Sequence, residues 1–253
     1  MKITVLMENS APEGLIAEHG LSFHLEYRGG RYLLDAGECG AVLYNAYKLG
    51  VDLAGVEKAA LSHGHYDHAD GFNAFFAVNS AASVHARPRI VEPEYWEETE
   101  YIGVNSGMLC RHENRFDLAD GPRDLADGLH LIPDRVKHEQ SLVAETAEGL
   151  VVLNSCCHAG VVKILTQLTE QFPGQPIRAV LGGFHLMGRG GVSTLGPAPE
   201  RVRAIAAALR DELKVGEIYT GHCTGSPAYA ILKEELGDRL HHLTTGAVYE
   251  FAD

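Results

Sequence analysis

No apolar run in this 253-residue chain approaches the length of a membrane span, because charged residues, Gly or Pro interrupt each one. The N-terminus, MKITVLMENSAPEG, carries one Lys and an apolar stretch too short for the core of a secretory signal, with no small-residue cleavage pattern behind it. Positive charge is scarce: 21 Lys and Arg stand against 34 Asp and Glu, a formal charge of -13. That balance, with no basic tract anywhere, argues against nucleic acid or anionic membranes as partners and leaves a small molecule as the expected one. Oligomeric state has no signature here. Cysteine is sparse and odd in number, with Cys39, Cys110, Cys156, Cys157 and Cys223 in a chain large enough to need no disulfides, so a reducing compartment, the cytoplasm, is expected. A linker is lacking too, and residues 1–253 are expected to form one domain able to bury a sizeable core.

What is present reads as a mixed α/β chain. Residues 2 to 7 predict a strand, and SFHLEY and RYLLDAG predict an antiparallel hairpin turning at Arg28-Gly29-Gly30-Arg31. Helical spacing runs from Glu38 to Leu49, with Gly50 as its stop, and VEKAALS predicts a strand before a short helix from Gly71 to Val78. From about 87 to 127 the pattern is irregular and rich in Glu, Tyr, Gly and Asn, as in a lid or binding loop inserted in a domain. Strands LHLIPD, SLVAET and LVVLNS follow, then helix 161–170, strand IRAVLGG, helix RVRAIAAALRDEL, strand EIYTG, helix AYAILKEEL and a last strand near AVYEF. The two halves have similar order, as expected for two sheets covered by helices.

Four times an apolar strand runs into small residues and a histidine: AALSHGHYDH, LVVLNSCCHAG, RAVLGGFHL and EIYTGHCTG. Loops beyond strand ends are where α/β folds gather ligands, so four such ends are expected to converge on one site. His63 and His65, two apart in an extended segment, project to one side, and Asp67 and His68 follow at once. Imidazole and carboxylate suit zinc, iron or manganese. His158 and His222 are further candidate ligands by their strand-end position, and His185 is a ligand, a supporting group or a substrate-facing one. Asp35, closing RYLLD, is placed to orient a ligand histidine through its second ring nitrogen, or simply to form a turn. The thiols beside His158 and His222 are candidates for ligation or redox chemistry, although buried structural cysteine is the commoner role. Ser226-Pro227 has the pattern of an N-cap and first helical position, where helix N–H groups can receive an anionic substrate group. Arg87, Arg89, Arg111 and Arg189 are the cationic candidates. The other histidines, His19 and His138 among them, are expected to be structural or exposed.

These motifs resemble the metallo-β-lactamase superfamily, whose His-x-His-x-Asp-His motif is matched by His63, His65, Asp67 and His68, with Asp35, His158 and His222 at further motif positions. The resemblance runs from about residue 20 to residue 225. It implies a four-layer αββα sandwich with two central mixed β-sheets. SHGHYDH, CCHAG, GGFHL and TGHCTG are similar to the branch named for 7,8-dihydropterin-6-methyl-4-(β-D-ribofuranosyl)aminobenzene-5'-phosphate synthase. The chain departs from many superfamily members at Leu181-Gly182-Gly183-Phe184-His185, where an Asp commonly bridges two metals.

The resemblance implies a metal-dependent hydrolase holding one or two ions, zinc foremost and iron or manganese as alternatives. His63, His65 and His158 would hold one ion, and Asp67, His68 and His222 would hold or support a second. Metal lowers the pKa of bound water toward about 7, giving a hydroxide that attacks a small substrate, phosphate-bearing ones included, with Asp67 as proton acceptor and Ser226 and Arg189 as candidate substrate contacts. An iron-dependent oxidoreductase is the alternative from another class, although its motif usually has Glu where this chain has His65. A non-catalytic metal- or ligand-binding module is the third reading.

Overall fold

In the computed structural model, which describes residues 1–253, the chain forms two compact units: residues 1–125 with 244–253, and residues 126–243. Along the first run β1 (Lys2–Met7), β2 (Ser22–Tyr27), β3 (Gly30–Leu34), α1 (Ala41–Leu49), β4 (Lys58–Ala60), α2 (Tyr66–Ala69), α3 (Phe72–Val78) and β5 (Ser83–Ala86). After them come β6 (Tyr95–Trp96), β7 (Glu100–Tyr101), α4 (Ser106–Arg111) and β8 (Phe116–Leu118). β9 (Arg123–Ala126) leads into β10 (Leu129–Pro133), β11 (Gln140–Thr146), β12 (Gly149–Leu153), α5 (Val161–Gln171) and β13 (Ile177–Leu181). The second unit continues with β14 (Met187–Gly188), β15 (Gly191–Leu195), α6 (Pro199–Ala207), β16 (Glu217–Thr220), α7 (Ser226–Leu236) and β17 (Leu240–His242). The chain then returns to the first unit as β18 (Val248–Glu250).

Each unit is built on one mixed sheet. The first has the order β18-β1-β2-β3-β4-β5-β8, antiparallel up to β3 and parallel from β3 onward. The second has the order β17-β16-β13-β12-β11-β10-β9, antiparallel from β10 to β12 and parallel from β12 to β17. Parallel neighbours need crossover connections, and these supply the helices that cover each sheet. In the first unit Phe72 and Phe75, wholly buried and edge-to-face at 5.9 Å, pack in one apolar cluster with Leu33, Ala59 and Val84. In the second, Ile164, Leu165 and Leu168 of α5, Val202 of α6 and Leu232 of α7 share a cluster with Val152, Val180 and Ile218. The expected fold class, two mixed sheets with flanking helices, is the one found. No helix is long and apolar enough to cross a membrane.

Several boundaries differ from the sequence reading for local reasons. α1 starts at Ala41 rather than Glu38 because Glu18 Oε1 accepts the N–H groups of Glu38 and Cys39, which holds that stretch out of the helix. Gly50 does end it, with φ 70° and its N–H bonded to Ala46 and Tyr47 carbonyls. Ser226 is not the N-cap of α7: it is the first helical residue, and Gly225, at φ 77°, takes the cap position with no side-chain bond. The irregular stretch resolves into the hairpin β6–β7, α4, β8 and β9, elements too short for any periodicity to announce.

Candidate metal centre

In the first unit the parallel pairing of β3 and β4, with Leu34 opposite Ala60, brings Asp35 beside the chain that leaves β4. Asp35 takes a left-handed conformation, φ 58°, and its N–H bonds the carbonyl of Ala60. From there its carboxylate organises the histidine loop. Oδ1 accepts the Ser62 N–H at 2.7 Å, and Oδ2 accepts the Ser62 hydroxyl at 2.7 Å and lies 2.9 Å from His68 Nδ1. His68 is thus held by Asp35 at Nδ1, with Nε2 turned to Asp67 Oδ2 at 3.3 Å. Burial alone would lower the His68 pKa, but the Asp67 and Asp35 carboxylates outweigh it and raise it well above 6.5. The potential here favours a cation.

His63 and His65 meet as their spacing requires. His63 Nδ1 lies 2.9 Å from the Ser62 hydroxyl, and His65 Nε2 lies 2.8 Å from Glu94 Oε2. Their remaining nitrogens, His63 Nε2 and His65 Nδ1, stand 3.0 Å apart. Two ring nitrogens converge this closely only around a shared proton or a shared metal ion. Glu94 belongs to the irregular segment, which also meets the loop through a bridge between Gly103 and His65 and an N–H from Tyr66 to the Ile102 carbonyl.

Two partners in this unit carried no sequence signal. Glu94 is one. The other is His19, expected to be structural or exposed, whose Nε2 lies 3.4 Å from Asp67 Oδ2. The following Gly20, φ 149°, permits this approach, since a Cβ there would fall 2.2 Å from the Asp67 carbonyl oxygen.

In the second unit β12, β13 and β16 are parallel neighbours, so the loops after all three leave one edge of the sheet. Three of the four strand-end histidine motifs consequently come together: the His158 and His185 rings lie 4.5 Å apart, and His222 Nε2 lies 3.4 Å from Cys156 Sγ. Glu139 organises this loop as Asp35 does the other. Its Oε1 accepts the N–H groups of Cys156 and Cys157 at 2.7 and 3.0 Å, and its Oε2 accepts the His158 N–H at 2.8 Å and contacts His158 Nδ1 at 3.2 Å. Burial would raise the Glu139 pKa, yet His158 and the amides hold the carboxyl far below the ordinary carboxylate range. Glu139 lies 19 residues before His158 in an unremarkable sequence, and only the pairing of β11 with β12 carries it there. His138 also belongs here, edge-on to His158 at 5.3 Å.

The thiols divide. Cys157 is buried in the apolar cluster and its pKa is pushed up by that burial, the ordinary structural case. Cys156 and Cys223 instead lie with His185, their sulfurs and a ring nitrogen within 4.8 Å of one another. Ser226 is exposed at the start of α7, and Arg189 is exposed in the turn between β14 and β15. Among the other cationic candidates Arg87 faces Asp120, Arg89 faces Glu92 and Arg111 donates to Asn73.

Comparison with known proteins identifies the family. The family model "Metallo-beta-lactamase superfamily" matches residues 16–153, more than half of the chain. A protein of Methanocaldococcus jannaschii, 7,8-dihydropterin-6-methyl-4-(beta-D-ribofuranosyl)-aminobenzene-5'-phosphate synthase, is 26% identical over 93% of this chain and 90% of its own. The solved structure of Tm1679, described as a metal-dependent hydrolase of the beta-lactamase superfamily, is 28% identical and superposes over 100% of both chains with a TM-score of 0.84. The metallo-beta-lactamase fold protein YhfI of Bacillus subtilis shares the fold at 12% identity, with a TM-score of 0.64 over 98% of each chain.

Proposed function

Because the chain belongs to the metallo-β-lactamase superfamily, we propose that it is a metal-dependent hydrolase of a small, phosphate-bearing substrate. For a divalent ion, zinc foremost, the first unit offers His63, His65, Asp67 and His68 as ligands, and the second offers His158 and His222. The observation that carries this reading is the anchoring of the ligand histidines. Ser62 holds His63, Glu94 holds His65, Asp35 holds His68 and Glu139 holds His158, each through the ring nitrogen opposite the one assigned to metal. A surface cluster of histidines has no need of such fixed orientation. The donor set, neutral imidazole with carboxylate, fits a divalent ion of intermediate softness.

When bound, such an ion supplies Lewis acidity and a water of lowered pKa. The chain's own groups do the rest. Asp67 Oδ2, within 3.4 Å of His19 and His68, is placed to take up the proton released as water attacks. The segment 87–127 is read as a substrate lid: it touches His65 and Tyr66, and it carries Tyr95, Trp96 and Tyr101 exposed on and beside its hairpin. Ser226 and Arg189 are the groups assigned to the substrate's anionic part. The phosphate-bearing class follows the name of the M. jannaschii relative and goes no further than that class. All five cysteines are free thiols, which accords with a cytoplasmic setting.

The test is metal content by mass spectrometry together with hydrolysis of phosphodiester, phosphomonoester, thioester and lactone probes. His63→Ala and Asp67→Ala are expected to stay folded, hold less metal than the wild type and lose turnover. Folded variants with full metal content and unchanged hydrolysis would overturn the reading, and so would a metal-loaded wild type silent toward every probe.

A further inference from the structure

The hydrolytic reading leaves two buried thiols of the second unit without a role. Cys156 follows β12 and Cys223 follows β16; they are 3% and 1% exposed. Both sulfurs lie within 4.8 Å of each other and of a ring nitrogen of His185, which follows β13, so the ends of three parallel strands contribute one atom each. Further contacts converge on the same atoms: His222 Nε2 lies 3.4 Å from Cys156 Sγ, and the backbone N–H of His185 points to Cys223 Sγ at 3.3 Å. Cys157, adjacent in sequence, is packed among apolar side chains, so burial of thiols in this loop does not by itself place them beside histidine.

The strand end at Gly182-Gly183 cannot supply an anionic ligand of its own. A Cβ at Gly182 would fall 1.4 Å from the Asn154 carbonyl oxygen, and one at Gly183 would fall 2.4 Å from Cys223 Sγ. Where a carboxylate side chain would project from Gly183, the Cys223 thiol already stands.

We propose that Cys156 and Cys223, as thiolates, bind a thiophilic divalent ion together with His185, so that sulfur supplies the negative charge that this strand end cannot carry as carboxylate. Each thiol releases its proton to solvent as its metal–sulfur bond forms, and no electrons are transferred. Two thiolates and an imidazole suit zinc and its spectroscopic substitute cobalt(II). The proposal rests on the second unit alone. It deepens the hydrolase reading through His222, which that reading assigns as a ligand and which lies beside Cys156 Sγ.

Cobalt(II) titration of the reduced, metal-free protein tests it, because thiolate ligation produces an intense sulfur-to-cobalt charge-transfer band in the near ultraviolet that nitrogen and oxygen ligands do not. The wild type and His63→Ala are expected to show the band, with its intensity at least halved in Cys156→Ser and in Cys223→Ser and reduced in His185→Ala. X-ray absorption of the zinc-loaded wild type, which needs no variant, is expected to show sulfur in the coordination shell. Cobalt bound with no charge-transfer band and no sulfur scattering overturns this proposal and leaves the hydrolase reading standing. Absence of any cobalt or zinc binding by the wild type overturns both.

Discussion

Replacing Glu139 with Gln tests the claim that one buried carboxylate holds the whole His158 loop. Glu139 is 1% exposed and accepts three backbone N–H groups besides contacting His158 Nδ1. Gln keeps the shape but only one oxygen. With that oxygen at the Oε1 position, the bonds from Cys156 and Cys157 survive without their charge, and the NH2 group faces the His158 N–H. One buried donor is orphaned, at about 1–3 kcal/mol, and two bonds lose charge assistance. A net loss of roughly 3 kcal/mol follows, out of a total of about 5–15 kcal/mol typical of folded domains. Glu139→Ala orphans all three donors and is expected to leave little folded protein. A second effect is specific to the site. The amide NH2 can donate to His158 Nδ1, which moves the imidazole proton to Nε2 and removes the lone pair assigned to metal, so metal affinity is expected to fall about 10- to 100-fold. Urea unfolding of metal-free protein measures the first effect and competition with a chelator the second. A Glu139→Gln variant with unchanged unfolding midpoint and unchanged metal affinity would refute the reasoning.

His24 on β2 has both ring nitrogens buried without a hydrogen bond, and burial lowers its pKa from 6.5 to about 4. A depressed histidine favours folding while neutral, so its contribution is complete above pH 6.5 and is lost as pH falls from there toward 4, by up to roughly 3 kcal/mol. Chemical unfolding of wild type and His24→Leu across that range should show the wild type losing more stability; parallel profiles would contradict it. Gly182→Ala places a Cβ 1.4 Å from the Asn154 carbonyl oxygen at φ 134°. Overpacking and backbone strain together are expected to cost about 3 kcal/mol or more, read as a lowered thermal midpoint, and a neutral substitution would show that this strand end moves freely.

The sequence by itself determined the fold class and much of the element order. Helical and strand periods, Gly50 as a stop and the recurrence of a histidine after an apolar strand are local patterns, and they recur in the structure at the stated places. The pairing of Asp35 with His68 was legible for the same reason, since a carboxylate at the end of one strand and a histidine just past the next need only parallel register to meet. Helix capping at Ser226 was misread because Gly225 can adopt a left-handed conformation and take the cap itself.

What sequence could not supply depends on contacts between segments far apart in the chain. Glu139 reaches the His158 loop through strand pairing, Glu94 reaches His65 through an irregular segment, and His19 reaches Asp67 across 48 residues, because Gly20 lets two backbones touch. None of these carries a periodic signal, since the partner of a buried polar group is fixed by tertiary register and not by its neighbours in sequence. The grouping of Cys156, His185 and Cys223 has the same origin: three parallel strands place their ends side by side, and only that juxtaposition turns scattered thiols into a ligand set.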